Sequence, residues 1–144
     1  MNRSDYAAAL RTLLEPQSVV TSDRLASFAA AAADGAADAI VVNVFVDQDG
    51  EGPFDVWARF EGRDAFALDR RFDDARQLFG VEWGELGWEP DVPGRPASWS
   101  RDDLETAVVA IVAGWLRELL PPERPTLTWR VESPDGAVTG ELGR

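Results

Sequence analysis

The spacing of hydrophobic positions changes several times along the chain, and each change marks an element. Tyr6, Leu10, Leu13 and Leu14 fall on one helical stripe over 5–14. Ser4 is placed to cap that helix and Pro16 to end it. A second helix is predicted from Thr21 or Ser22 to 33, apolar at Leu25, Phe28, Ala29 and Ala32 and stopped by Asp34-Gly35. Residues 39–46 (AIVVNVFV) are apolar on both faces, with Ile40, Val42, Val44 and Val46 on one and Val41, Asn43 and Phe45 on the other. This predicts a central strand covered on both sides. After a turn at 47–53, residues 54–60 alternate: Phe54, Val56, Ala58 and Phe60 point inward, and Asp55, Trp57 and Arg59 outward. A tight turn at 61–64 precedes an expected third strand at 65–70, with Phe66 and Leu68 on one face, and a short helix at 72–79.

Residues 81–99 (VEWGELGWEPDVPGRPASW) carry no clean period and read as a loop rich in Gly, Pro and Trp. Loops of that length inside a small domain are often functional. Ser100 then opens a long helix over 100–120, and with Asp103 it fits a capping box in its Asp form. Apolar residues at 104, 107, 108, 111, 112, 115, 116, 119 and 120 cover more than the roughly 100° stripe of a surface helix. The helix is therefore expected to be buried on two sides, with Ile111 and Trp115 central, before Pro121-Pro122 ends it. Residues 126–132 alternate with Leu127, Trp129 and Val131 inward, Ser133-Pro134-Asp135-Gly136 is a turn, and 137–142 return as an edge strand weakened by Gly140. Short turns between strands imply an antiparallel sheet of about five strands with helices mainly on one face. The fold class is thus α+β, one domain over 1–144, in the order ααβββ(α)-loop-αββ.

Composition restricts the chemistry. The chain has 14 basic and 26 acidic residues, a net charge of −12, and no His or Cys. All its basic residues are Arg. Thiol and imidazole nucleophiles, Schiff-base lysines, P-loops and the usual zinc or copper sites are excluded. Acid–base work would fall to carboxylates or Tyr6. No catalytic residue, metal or cofactor is assigned. An acidic chain is a poor ligand for nucleic acid or an anionic membrane, the longest uncharged apolar run, at 106–116, is too short to span a bilayer, and the first residues do not read as a signal peptide. A cytoplasmic protein, a monomer rather than a homodimer, is expected.

Two groups stand out as binding candidates. In the loop, Glu85, Glu89 and Asp91, joined by Glu82, sit among Trp83, Trp88 and Trp99. Carboxylates beside aromatic platforms occur in glycosidases, and rigid rings beside acids also anchor cationic partners. Trp57 and Arg59, outward on their strand, complete the candidate set. The competing expectation is structural: the loop Trp rings roof the second face of the sheet, where Val41, Phe45 and Trp57 need cover. Asn43 is expected to be a buried amide, satisfied or facing a ligand. The turn Asp47-Gln48-Asp49-Gly50-Glu51-Gly52 begins like a calcium loop, but its Gly comes too early and its flanks are strands. Asp69-Arg70-Arg71-Phe72-Asp73-Asp74 reads as mutual salt bridging on a solvated face.

The stretch VFVDQDGEGPFDVWARFEGRDAFA at 44–67, the Trp-rich loop and the segment WLRELLPP resemble a family of small acidic actinobacterial proteins, a domain of unknown function. The resemblance covers most of the chain and implies no catalytic residue. The expectation is a non-catalytic acidic binding or interaction module, such as an inhibitor of a basic protein. The alternative is a carboxylate-dependent enzyme or small-ligand binder using loop 81–99.

Overall fold

The computed structural model describes residues 2–33, 36–121 and 127–142. Helix α1 spans Arg3–Leu14 and is capped by Asn2, whose side chain accepts from the Asp5 amide at 2.8 Å. The cap is therefore Asn2 rather than Ser4, and either residue type can serve. Pro16 ends α1 in a single 3-10 turn over Glu15–Gln17, and α2 (Ser18–Ala32) starts at once, three residues before the expected cap.

Strands β1 (Ala39–Val46) and β2 (Phe54–Glu61) form where the continuous apolar run and the alternation place them. Ile40, Val42, Val44 and Val46 lie opposite Phe60, Ala58, Val56 and Phe54, and all eight are buried. Residues 65–70 are not a strand. Helix α3 (Ala65–Phe72) turns Leu68 and Phe72 inward and leaves Phe66 in solvent, because the apolar spacing is i, i+3, i+7 from Ala65. Phe72 meets Phe28 and Phe60 at ring separations of 4.9 and 5.6 Å. The expected helix at 72–79 is a 3-10 turn followed by strand β3 (Gln77–Phe79) on the free edge of β2. Within the expected loop, β4 (Glu82–Gly84) and β5 (Gly87–Glu89) pair as a separate hairpin.

Helix α4 (Arg101–Arg117) begins as the sequence predicts. Ser100 Oγ accepts from the Asp103 amide at 3.1 Å, and Asp103 Oδ2 accepts from the Ser100 amide at 2.9 Å. Replacing Ser100 by Ala is expected to cost about 1 kcal/mol, while Ser100→Asp retains most of the stability; urea denaturation of the two variants checks this. Helix α4 lies between the sheet and α1, so α1 covers its second apolar side. Trp115 is central and fully buried, whereas Ile111 sits at the margin, half-buried.

Strands β6 (Thr128–Glu132) and β7 (Thr139–Glu141) complete a five-stranded sheet of order β3-β2-β1-β6-β7. Residues 122–126, including the start of the expected strand at 126–132, lie outside the described residues. The fold is α+β. Three of the four ladders are antiparallel, but β1 and β6 run parallel, Ile40 opposite Trp129 and Val42 opposite Val131. Turn signals report only strands adjacent in sequence, and β1 meets β6 across the whole middle of the chain. The three long helices pack on one face.

Guanidinium groups fasten the loops. Arg101 donates to the carbonyls of Val46 and Asp47 at 3.0 and 3.2 Å. Arg95 donates to the carbonyls of Gly50, at 2.7 Å, and Trp99. The planar fork of Arg suits such two-carbonyl contacts. They fill the turn at 47–53 with guanidinium where a calcium ion would need those oxygens, and among the described residues no cluster of acids fits a metal.

Candidate functional site

The candidate residues fall in three places. The first is the β4–β5 hairpin. Trp83 and Trp88 lie directly opposite each other, with rings edge-to-face at 4.8 Å. This cross-strand aromatic pair holds a two-residue turn of Glu85 and Leu86. Trp88 packs half-buried against the core, while Trp83 is 70% and Leu86 96% exposed. On the hairpin's other face Glu82 lies opposite Glu89, two like charges that repel. Both border a groove of about 490 Å³ toward Leu13 and Pro16 at the end of α1. Glu85 and Asp91 are exposed. Among the described residues, no ion pair involves Glu82, Glu85, Glu89 or Asp91.

The second place is Trp99, which is not part of the hairpin. Its ring and that of Tyr6 lie edge-to-face with centroids 5.2 Å apart, and the Arg3 guanidinium lies 5.0 Å from its centroid. The third holds Trp57 and Arg59, on the sheet face away from the helices. The loop rings do not roof that face. Trp88 and Trp99 pack on the helical side instead and Trp83 stays in solvent, so the expectation of Trp cover over Val41, Phe45 and Trp57 is corrected. The loop leaves β3 at the sheet edge and runs toward α1, and this path carries its rings to that side.

The open face is closed by charge instead of rings. Arg59 Nη1 reaches Glu61 at 2.8 Å and Nη2 reaches Glu132 at 3.6 Å; Arg130 reaches Glu61 at 3.2 Å and Glu132 at 3.5 Å. Val41 lies between Arg59 and Arg130 on the neighbouring strands and is fully buried. The Arg59 hydrogen bond, assisted by Arg130, holds the Glu61 carboxyl below its ordinary range. Burial opposes the charge of Arg130, but hydrogen bonds and attraction from Glu61 and Glu132 outweigh it and raise its pKa. Glu61's contribution to stability is present above the ordinary carboxylate range and lost as pH falls through its depressed value, and partial exposure keeps it small. Asn43 is 7% exposed and fixed here, its Oδ1 accepting from Arg59 Nε at 3.0 Å. The sequence reading missed this ring of charge. The signal was two Arg-x-Glu triplets, Arg59-Phe60-Glu61 and Arg130-Val131-Glu132, each on outward positions of its strand.

The model of a family of unknown function, DUF6389, matches residues 1–142. The chain belongs to this family. No curated protein and no solved structure matches it. This DUF6389 chain carries its candidate sites on two parts of its surface. That surface divides into an acidic, aromatic hairpin on the helical side and a charge-ringed hollow beside Trp57 on the other. Among the described residues no helix is long and apolar enough to cross a membrane.

Proposed function

We propose that this protein is a non-catalytic interaction module that meets a basic protein partner through the β4–β5 hairpin. The observation that carries this reading is the exposure of Trp83 and Leu86 at the tip of an ordered hairpin flanked by Glu82, Glu85 and Glu89. Large apolar side chains left mostly in water at a tight turn suit the core of an interface, with a charged rim around them. The opposed Glu82 and Glu89 carboxylates repel each other in the free protein. A guanidinium or ammonium placed between them relieves that repulsion and adds direction to the encounter. A net charge of −12 steers cationic partners over a longer range. Inhibition of a basic enzyme is one form such binding would take.

The test is a pull-down from native lysate at low and high ionic strength, with a Trp83→Ala, Leu86→Ala variant alongside. Both positions are solvent-exposed, so the variant is expected to fold and melt as the parent does. A basic partner should be retained at low salt, released at high salt, and lost by the variant. Equal retention by the variant would remove the hairpin from the interface. A second reading, a carboxylate-dependent enzyme, draws on the groove beside Glu82 and Glu89. Hydrolysis of aryl glycosides that is lost in Glu82→Gln and in Glu89→Gln would establish it instead.

A further inference from the structure

The open face of the sheet contains a hollow of about 230 Å³ lined by Asn43, Phe45, Trp57, Ala58, Arg59 and Arg76. We propose that it binds a small aromatic carboxylate, a ligand of one ring bearing one acid group. The inference is independent of the hairpin, which lies on the helical side of the sheet.

Two arginines, Arg59 and Arg76, dominate the polar lining. Arg76 is held rigidly: Nε donates to the Asp69 carbonyl and Nη1 to the Ala58 carbonyl, both at 3.1 Å, and its guanidinium lies 5.6 Å from the Trp57 ring centroid. Two carbonyls leave its positive charge uncompensated. No carboxylate of the described residues forms an ion pair with it. Arg59 keeps donor hydrogens beyond those it gives to Glu61, Glu132 and Asn43. The Asn43 oxygen is occupied by Arg59, while its amide nitrogen makes one long bond, 3.5 Å, to the Glu132 carbonyl. No carboxylate lines the hollow, and Glu61 and Glu132 offset the charge of Arg59 but not that of Arg76. In a chain of charge −12 that is an anomaly, and it calls for a ligand that brings acceptors and negative charge. Carboxylates accept from guanidinium forks in the strong, charge-assisted geometry.

The apolar walls define the rest of the ligand. Phe45 is 43% exposed and Trp57 partly so, on adjacent strands of one face, so two rings stand open above the hollow. Stacking of a ligand ring between them buries surface that the fold itself leaves wet. The volume lies below the roughly 300–1,000 Å³ of drug-sized sites, which restricts the ligand to a single ring.

The test uses benzoate as the probe, with benzyl alcohol, acetate and inorganic phosphate as controls, read by calorimetry and by amide chemical shifts. Benzoate at millimolar concentration should bind and shift the amides of Asn43, Phe45, Trp57, Arg59 and Arg76. Benzyl alcohol lacks the charge; acetate and phosphate lack the ring. Each should bind at least about tenfold more weakly, a difference of about 1.4 kcal/mol. Arg76→Gln should weaken benzoate binding by at least a similar factor. Phe45→Glu guards against a folding defect in that variant. The position is on the surface, and a carboxylate at the mouth should abolish binding while the thermal midpoint holds. Absence of benzoate binding, equal binding of benzyl alcohol, or undiminished binding by Phe45→Glu would each overturn the proposal.

Discussion

Trp115→Ala is expected to destabilise the protein by about 3–5 kcal/mol, the range for deleting a buried aromatic side chain. Trp115 is fully buried where α4 meets the other helices, and its indole N–H donates to Ser18 Oγ at 2.9 Å. The substitution removes the ring, the packing on both sides of it and the hydrogen bond that ties α4 to the start of α2. Against a total stability of about 5–15 kcal/mol, the loss takes a large fraction. Trp115→Phe keeps most of the apolar volume and frees a hydroxyl that water can reach, so it should cost much less. Urea denaturation checks both. A midpoint unchanged in Trp115→Ala would mean that the helix does not hold the core together.

The second large effect comes with alkali. Tyr6 is fully buried, its hydroxyl has no hydrogen-bond partner among the described residues, and burial pushes its pKa up to about 12. The phenol is neutral below its pKa, so burial favours the protonated form. The unfolded chain loses this proton near pH 10, while the folded protein keeps it to about 12. Stability is therefore complete below about pH 10 and falls as pH rises through 12, because the native state then binds more protons than the unfolded one. At about 1.4 kcal/mol per pH unit, the loss reaches roughly 2–3 kcal/mol. The chain is suited to this measurement. Tyr6 is its one tyrosine, and it has no Lys, Cys or His to titrate in the same window. Phenolate absorbance should report Tyr6 directly, and Tyr6→Phe should flatten the stability profile between pH 10 and 12. At neutral pH the same variant should be neutral or slightly stabilising, because it removes a buried hydroxyl that has no partner. A Tyr6 that titrates near 10 in the folded protein would show that its hydroxyl reaches water.

Local signals were strong where a single element satisfied its own chemistry. The capping box at Ser100 and Asp103, the apolar run of β1, the alternation of β2, and the turn at 133–136 are each decided by neighbours a few residues apart. They were legible for that reason. The misreading of 65–70 arose in a short segment where Phe66 and Leu68 fit a strand and Ala65, Leu68 and Phe72 fit a helix. Tertiary packing of Leu68 and Phe72 beneath the sheet chose the helix. The hairpin at 82–89 had a mirror-like sequence, Glu-Trp-Gly either side of Glu85-Leu86 reversed as Gly-Trp-Glu, which marks paired strands even where hydrophobic alternation is weak.

By itself the sequence determined the class of fold, the long buried helix, the central strand pair and the chemistry that absent Lys, His and Cys forbid. Those follow from side-chain type and local spacing. The tertiary structure alone decided that β6 joins β1 in parallel, that the loop rings lie on the helical side, and that Arg59, Glu61, Arg130 and Glu132 close into one ring. The same holds for the hollow beside Arg76, whose lining comes from β1, β2 and the 3-10 turn after α3. Strand order and the path of a loop depend on contacts between residues far apart in the chain, and a local pattern carries no record of which distant partner a surface will meet.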